Sequence, residues 1–289
     1  MSKIAIIGSG PAGLSASLYT VRAGVETVVY IGDTRGGLVS TTEKVDNYLG
    51  LPGVEGLNMA DMFIKHAESL GVKTLSDVVT RITQTGAGFL VESAENSEMF
   101  NAVIFSGGST PRKLGIPGED LSGVSWCATC DGAFSAGEDV VLVGGGETAV
   151  EDSLYLSDIA RNVTIVLRGK EFRATQPAVD RLLSKPNVRV IREANLVEIG
   201  GETEVENVRL STGEVLPVYS VFEAIGQIPQ AGPSREHVTL FENGFIQCSN
   251  VPGFFVAGDI STPEYRQIAV AVGDGARAGI DAVKWLQEN

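Results

Sequence analysis

Two glycine-rich turns constrain this chain most, because each stands between a short apolar run and a helical stretch. The first, Gly8-Ser-Gly10-Pro-Ala-Gly13, follows the apolar run Ile4 to Ile7 and precedes a helical stretch over residues 14–23. In this pattern the first glycine permits the turn, the second admits a pyrophosphate, and the third lets helix and strand pack closely. Free amides and the helix dipole then hold the phosphates. A second apolar run over residues 25–31 completes a predicted dinucleotide-binding unit.

The second turn, Gly144-Gly145-Gly146-Glu-Thr-Ala149, follows the apolar run 139–143 and opens a helix predicted to extend through Leu156. Ala149 takes the third small position, which the dinucleotide-binding pattern allows. The next strand, 163–167, ends without an acidic residue, and Arg168, Lys170 and Arg173 follow it. Basic residues there suit a 2′-phosphate and indicate NADP rather than NAD. The alternative is a solvated basic loop.

A third signature, Phe255-Val-Ala-Gly258-Asp259, precedes Arg266-Gln267 and a C-terminal helix predicted from about Gly273 to Gln287. Together the three signatures predict an α/β fold with two Rossmann-like nucleotide-binding domains, the second inserted into the first. We place the first domain at residues 1–112 and 232–289 and the inserted domain at 113–231. Turn formers around Pro111 and over residues 226–233 indicate the two joints.

Composition excludes several classes of protein. Lys and Arg total 22 against 36 Asp and Glu, a net charge of −14, so a general nucleic-acid binder is not expected. No segment reaches the roughly 18 uninterrupted apolar residues of a membrane span, and no export signal is recognised, which predicts a cytoplasmic location. Three cysteines exclude a disulfide scaffold.

Cys127-Ala-Thr-Cys130-Asp131 carries the chemistry just before the second glycine turn. The Cys-x-x-Cys spacing in a cytosolic chain indicates redox chemistry or a metal site. Zinc would need two more ligands, and the remaining Cys248 and two distant histidines supply them poorly, so no metal is predicted. We expect Cys248 to be core or half-buried. Asp131 is placed to exchange a proton with a thiol, or alternatively to cap a helix.

The chain resembles the low-molecular-weight thioredoxin reductase family of flavoproteins. The matching segments span nearly the whole chain in the family's order: residues 8–13, 36–37, 45–48, 127–134, 144–149, 224–226, 258–259 and 266–275. The Cys-Ala-Thr-Cys-Asp-Gly-Ala-Phe block is highly specific.

The resemblance implies an FAD domain, an inserted pyridine-nucleotide-type domain that carries the dithiol, and a homodimer. It further implies that the Cys127–Cys130 disulfide receives an electron pair from reduced flavin, with Cys130 nearer the flavin. The inserted domain then rotates, and Cys127 attacks the disulfide of thioredoxin or a similar small protein.

The site residues that follow from the motifs and the resemblance fall into two groups. The catalytic residues are Cys127, Cys130 and Asp131. The cofactor-binding residues are Gly8, Ser9, Gly10, Pro11, Ala12, Gly13, Gly36, Gly37, Leu38, Asn47, Gly258, Asp259, Arg266, Gln267 and Ile268 toward FAD, and Gly144, Gly146, Thr148, Ala149, Arg168 and Arg173 toward NADP(H).

The chain departs from the family where the family grips the 2′-phosphate of NADPH. The family's His-Arg-Arg cluster is Leu167-Arg168-Gly169 here, although Arg173 keeps the third arginine. Leu38 replaces the usual Gln beside the flavin, and Gln230-Ala231 replaces Asn-Thr. The electron donor therefore stays open between NAD(P)H and ferredoxin or a second flavin. Two alternatives change the function: a ferredoxin–NADP reductase-like flavoenzyme, against which the dithiol speaks, and a flavin-based redox sensor.

Overall fold

The chain passes from one structural unit into a second and back again. The structure is a computed structural model that describes residues 2–261 and 265–289. The first unit comprises Met1–Thr110 and Ile228–Asn289, and the second comprises Pro111–Gln227. The sequence places the two joints after residues 112 and 231, close to these divisions.

The first segment of the first unit contains β1 (Lys3–Ile7), α1 (Pro11–Arg22), β2 (Glu26–Tyr30), α2 (Gly56–Ser69), β3 (Lys73–Leu75), β4 (Val79–Thr85), β5 (Gly88–Ser93), β6 (Ser97–Phe100), β7 (Ala102–Phe105) and β8 (Ser109–Pro111). The second unit contains β9 (Val124–Ser125), α3 (Ala128–Asp131), β10 (Asp139–Val143), α4 (Glu147–Ser157), β11 (Asn162–Leu167), α5 (Gln176–Leu183), β12 (Val188–Arg192), β13 (Leu196–Gly200), β14 (Asn207–Leu210), β15 (Val215–Pro217) and β16 (Ser220–Glu223). The chain returns through β17 (Gln227–Pro229) to β18 (Val238–Leu240), β19 (Ile246–Ser249), β20 (Phe254–Val256) and α6 (Ile268–Glu288).

A five-stranded parallel sheet in the order β20-β7-β1-β2-β3 forms the centre of the first unit. Its central strand β1 is covered on both faces, which explains the uninterrupted apolar run. Ile4 and Ile6 pack with apolar side chains of α1 and α6. Ala5 and Ile7 pack with the antiparallel sheet β4-β5-β6.

Helices α1 and α6 both begin earlier than the sequence indicates. Helix α1 begins at Pro11 rather than at residue 14, because proline at the first helical position loses no hydrogen bond. Helix α6 begins at Ile268 rather than near Gly273 and runs through three glycines. A Cβ on the second of these, Gly275, would stand 2.0 Å from the Ala12 carbonyl oxygen of α1. The helical glycine therefore permits close packing instead of ending the helix.

The second unit repeats this plan with a parallel sheet in the order β12-β11-β10-β16-β9. Helix α4 packs on one face through Ala149, Val150 and Leu154. The other face is covered by the antiparallel sheet β13-β14-β15, which the sequence analysis did not identify.

Cys248 is exposed on β19, so the expected half-buried position is wrong. The register of β18 and β19 shifts between the pairs Thr239–Cys248 and Leu240–Ile246. Such an irregularity breaks the alternation of buried and exposed residues along a strand. Of the four residues of β19, Ile246 is buried, Gln247 and Cys248 are exposed, and Ser249 is half-buried. Among the described residues no helix is both long and apolar enough to cross a bilayer.

We predict that Gly275→Ala destabilises the protein by about 1–3 kcal/mol, because the new methyl group collides with the backbone of α1. The matched control is Gly273→Ala in the same helix, where no described atom lies within 4 Å of the added Cβ. That change should be neutral or stabilising by up to about 1 kcal/mol. Chemical unfolding of both variants measures the difference, and equal stability would contradict the assigned packing.

Candidate active site

The first glycine turn joins β1 to α1 and leaves the start of the helix open. Gly8 has φ +108°, and a Cβ on Gly13 would stand 2.0 Å from the Gly8 carbonyl oxygen. Gly10 precedes the helix, no described side chain caps it, and no described atom lies within 4 Å of where its Cβ would be. The first helical amides thus face space that an anion can enter.

Ser9 holds this turn against two other segments. Its buried hydroxyl donates to the Ile31 carbonyl oxygen at 3.1 Å and accepts the Gly36 N–H at 3.0 Å. Gly36 and Gly37 both have positive φ, and a Cβ on Gly37 would stand 3.0 Å from Gly10 Cα. The half-buried Leu38 lies in the short 3-10 helix that Gly37 opens. The structure therefore brings residues 8–13 and 36–38 together.

Gly258 lies against the same turn from the C-terminal part of the chain. It has φ +84°, and its Cβ would stand 2.8 Å from Ala12 Cβ. Its N–H donates to Asp274 Oδ2 at 2.7 Å, and Arg277 pairs with that carboxylate. Burial raises the pKa of the next residue, Asp259, to about 6; the Arg266 charge opposes this and the Asp274 charge adds to it. Asp259 is partly exposed beside Gly258, where its carboxyl can meet a ligand.

Asn47 and Gln267, 220 residues apart in sequence, also meet in the first unit. The Asn47 side-chain N–H donates to Gln267 Oε1 at 3.2 Å. Ile268 begins α6 and packs on the cluster around Val39 and Met59. All the residues predicted toward FAD in this unit therefore lie on segments that converge on the carboxyl end of β1 or on the start of α6.

These features fit a dinucleotide such as FAD. The open, uncapped start of α1 suits the pyrophosphate, and a carboxyl group at Asp259 can accept hydrogen bonds from a polyol chain. We call the space between residues 8–13 and 36–38 the FAD cradle. Where Gly37 lies against Gly10, the cradle is lined by backbone atoms and not by bulky side chains.

The second glycine turn is built in the same way, at the carboxyl end of β10. A Cβ on Gly144 would stand 2.4 Å from the Ala224 carbonyl oxygen after β16 and 2.9 Å from Ala149 Cβ on α4, so the glycine lets this helix lie close to the sheet. Gly146 precedes α4; within the described ranges no side chain caps it and its Cβ position is open. Ala149 is buried, whereas Thr148 is exposed on the first turn of α4.

The segment after β11 folds back onto this second turn. The Arg173 N–H donates to the Gly145 carbonyl oxygen at 2.7 Å. The Thr175 N–H and hydroxyl donate to the carboxylate of Glu147, the first residue of α4, at 2.9 and 3.0 Å. The buried Leu167 side chain covers Gly145, whose Cβ would stand 2.1 Å from Leu167 Cδ1.

The second turn fits a pyrophosphate at Gly146 but offers an incomplete grip on a 2′-phosphate. Arg168 follows β11 directly, Arg173 lies six residues after the end of this strand, and both are exposed; their contact with a 2′-phosphate stays a prediction. Lys170 pairs with Glu193 at 3.8 Å. The apolar Leu167 and the side-chain-free Gly169 stand where the resemblance calls for two cations.

The two sulfurs predicted to be catalytic lie at the carboxyl edge of the second sheet and are bonded to each other. Cys127 follows β9, Cys130 lies in the short helix α3, and their Cα atoms are 5.3 Å apart. Both cysteines are partly exposed. Across the described ranges, no group of three or more His, Cys, Asp or Glu side chains could hold a metal ion.

Ser125 connects Asp131 to the disulfide. Its buried hydroxyl donates to Asp131 Oδ2 at 2.6 Å and accepts the Cys127 N–H at 3.0 Å. Asp131 is thereby held over the turn that carries both sulfurs. Ser125 was not predicted from the sequence, although its position two residues before Cys127 is the available signal.

The sequence analysis also missed a buried acid beside the dithiol. Glu223 ends β16, is 2% exposed, and accepts the Trp126 indole N–H at 2.9 Å. An acidic residue inside the otherwise apolar run 221–225 is the signal that could have identified it.

Comparison with known proteins gives one consistent result. The sequence profile of the pyridine nucleotide-disulphide oxidoreductase family matches residues 2–275. A thioredoxin reductase from Spironucleus barkhanus is 37% identical over 302 residues, covering 99% of this chain and 99% of that protein. The crystal structure of a thioredoxin reductase from Streptococcus pyogenes matches with a TM-score of 0.93 and 33% identity, covering 99% and 98% of the two chains. A thioredoxin reductase structure from Giardia duodenalis gives 0.93 and 32%, covering 99% and 100%.

A match over almost the whole chain to both sequence and structure agrees with two nucleotide cradles and a Cys-x-x-Cys disulfide in the expected order. The chain therefore belongs to the pyridine nucleotide-disulphide oxidoreductase family, within its low-molecular-weight thioredoxin reductase group, and is a flavoprotein oxidoreductase.

Proposed function

We propose that the chain reduces the disulfide of thioredoxin, or of a similarly small protein, through Cys127 and Cys130. The observation that carries the proposal is the disulfide already formed between them, with Asp131 tied to the same turn by Ser125. The names of the relatives support thioredoxin as the substrate.

The proposed cofactor-binding residues are those named from the sequence, with the turn 8–13, residues 36–38 and Asp259 forming the cradle for FAD. When bound, FAD would supply the electron pair that reduces the Cys127–Cys130 disulfide.

Each catalytic cycle conserves atoms and electrons. Two electrons and two protons convert the Cys127–Cys130 disulfide into two thiols. The Cys127 thiolate attacks one sulfur of the substrate disulfide and displaces the other, which takes a proton. Cys130 then attacks Cys127 Sγ, breaks the mixed disulfide and restores the enzyme disulfide, and the second substrate sulfur leaves as a thiol.

We propose that Asp131 moves the protons in these steps. The Ser125 hydroxyl donates to Asp131 Oδ2 and keeps this carboxylate on the turn that carries both sulfurs, where an acid or base is needed. Rotation of the inserted domain remains a prediction; it would let one dithiol meet the flavin and the substrate protein in turn. The homodimer also remains a prediction.

Electron uptake tests the dithiol. Anaerobic dithionite titration of the oxidised protein should consume four electrons per chain, two at the flavin and two at the disulfide. Cys130→Ser should consume two, because the disulfide is lost. The matched control, Cys248→Ser, should still consume four, since this thiol lies outside the disulfide. Uptake of only two electrons by the unaltered chain would exclude the proposed dithiol.

Asp131→Asn should slow the reduction of thioredoxin by about 10²- to 10⁴-fold, the usual contribution of a positioned acid or base. The measurement is a single turnover: dithionite-reduced protein is mixed with oxidised thioredoxin, so no physiological donor is required. Asp120→Asn, at an exposed carboxylate 3.6 Å from Lys113, is the control and should react at the unaltered rate. Equal rates for both variants would remove Asp131 from the mechanism.

For the electron donor we propose a pyridine nucleotide held by an incomplete 2′-phosphate clamp, with ferredoxin or a second flavin as the alternative. Two features favour the alternative. The Leu167 side chain covers Gly145, and position 169 is a glycine, so neither position supplies a positive charge for a 2′-phosphate. A loss of one or two charge-assisted hydrogen bonds, each worth roughly 1.5–3 kcal/mol, weakens NADPH binding by about 10- to 1,000-fold.

Reduction by ferredoxin is energetically possible. Plant-type ferredoxins lie near about −400 mV and thioredoxin near about −270 mV, so two electrons release roughly 6 kcal/mol. The net charge of −14 does not favour docking of an acidic ferredoxin, which would need a local basic patch.

Gly169→Arg should lower the NADPH concentration needed for half-maximal flavin reduction by about 10- to 100-fold, as expected for one restored charge-assisted bond. The site has room, because the nearest atom to an added Cβ is the Glu171 carbonyl oxygen at 3.9 Å. Gly169→Ala is the steric control, and NADH, which lacks the 2′-phosphate, should show no gain. Anaerobic stopped-flow mixing measures all three.

Rapid bleaching of the flavin in the unaltered protein by micromolar NADPH would exclude the ferredoxin alternative. Bleaching by reduced ferredoxin alone would exclude the pyridine nucleotide.

A further inference from the structure

Glu223 is a buried acid that the proposed cysteine chemistry does not use. It lies at the carboxyl end of β16, between β10 and β9 in the second sheet. The register pairs Phe222 with Ser125, so Glu223 stands beside Trp126, the residue that precedes Cys127. The Trp126 indole N–H donates to Glu223 Oε2 at 2.9 Å.

The second carboxyl oxygen of Glu223, Oε1, accepts no hydrogen bond from a described N–H or O–H group. Within residues 2–261 and 265–289, Oε1 is buried without a hydrogen-bond partner. A second buried acid, Glu119, is in contact with the Glu223 carboxyl group; it is 8% exposed and accepts the Gly115 N–H at 2.8 Å. Two carboxyl groups in contact away from water cannot both ionise readily, so one proton between them satisfies both.

The charges around the pair are few. Lys113 lies over the Trp126 ring, its Nζ 5.2 Å from the ring centroid, and Arg112 lies against Gly226, three residues after Glu223. On the opposite side, β10 places the apolar Val143 in register with Glu223. Burial raises the pKa of Glu223 to about 7; the Glu119 charge adds to this, while the Trp126 and Leu114 N–H groups oppose it.

The position of Trp126 bears directly on the disulfide. The side chain of Trp126 is held by Glu223, and the next peptide N–H, that of Cys127, is held by the Ser125 hydroxyl, which also bonds Asp131. Glu223 therefore fixes one end of the segment whose other end carries the sulfurs and the proposed proton carrier.

We propose that Glu223 is a positioning residue for the dithiol: its carboxyl group holds the Trp126 indole and shares a proton with Glu119, so that the charge beside Cys127 depends on that proton. When the shared proton is lost, the Glu223–Glu119 pair carries a second negative charge, and this charge disfavours ionisation of the Cys127 thiol. The inference rests on the proposed function only in treating Cys127 as the attacking thiol. Its first test, a fluorescence titration, requires no enzymatic turnover.

Tryptophan fluorescence reports on the pair, because the chain has two tryptophans and Trp285→Phe leaves Trp126 alone. In this background the emission of the oxidised, flavin-loaded protein should titrate between pH 5 and 9 with a midpoint near 7. Adding Glu223→Gln should abolish the titration but keep the emission maximum, since the amide oxygen still accepts the indole N–H. Adding Glu119→Gln should lower the midpoint, because the neighbouring charge is removed.

Two further variants separate the role of Glu223 in holding the Trp126 indole from its role as the titrating group. Glu202→Gln, at an exposed acid of the same unit, should leave the curve unchanged. Glu223→Leu should shift the emission maximum as well as abolish the titration, because the indole loses its acceptor. A titration that survives Glu223→Gln, or the absence of any titration in the Trp285→Phe protein, would overturn the proposal.

A thiol measurement tests the link to Cys127. In a Cys248→Ser background, the reduced protein is alkylated with iodoacetamide across the same pH range. Glu223→Gln should shift the alkylation profile to lower pH, because the competing negative charge is gone. An unshifted profile would overturn the link to Cys127 even if thioredoxin reduction proceeds, so the two proposals fail separately.

Stability gives an independent check with a definite sign. The pKa of Glu223 is raised in the folded chain from 4.5 to about 7, so the free energy of unfolding should fall as the pH rises through that interval. Glu223→Gln should lose this pH dependence and become more stable than the unaltered protein above pH 7; the opposite order would contradict a buried, proton-sharing Glu223.

Discussion

The structure depends on places where two stretches of backbone touch with no side chain between them. A Cβ on Gly13 or on Gly275 would stand 2.0 Å from a carbonyl oxygen of the neighbouring segment. These contacts bring α1 down onto the end of β1 and let α6 lie along α1. The first amides of α1 are consequently left at the edge of the sheet with open space before them, and a negatively charged ligand is the natural partner for such amides.

The second unit also relies on a glycine that lets two backbone segments touch. In addition, the carboxyl edge of its sheet carries the Cys127–Cys130 disulfide. Gly144 packs on the carbonyl of Ala224, Ser125 and Glu223 end the neighbouring strands β9 and β16, and the disulfide follows β9. In open parallel sheets the carboxyl ends of strands are where ligands and reactive groups collect. Chain topology alone therefore places the second glycine turn and the Cys127–Cys130 disulfide on one edge of a five-stranded sheet.

The glycine turns, the apolar strands and the Cys127–Cys130 pair could be predicted from sequence because each is a local pattern of neighbouring residues. The fold class and the family are confirmed. Helix starts were less predictable: Pro11 looks like an interruption but is tolerated at the first position of α1, and α6 begins at Ile268 instead of near Gly273. The partnership of Trp126 with Glu223 joins residues 97 positions apart, so no local pattern could reveal it. The exposure of Cys248 depends on a register shift between two strands, which is likewise invisible in the sequence.

That exposed sulfur has a practical consequence. With Cys127 and Cys130 joined, Cys248 is the one remaining thiol of the chain's three cysteines, and it lies on β19 in the first unit. A maleimide dye added to the oxidised protein would attach at a single defined position on the unit that does not carry the disulfide. Counting labelled sites per chain would then report the redox state directly, with one label for the oxidised form and three for the fully reduced one.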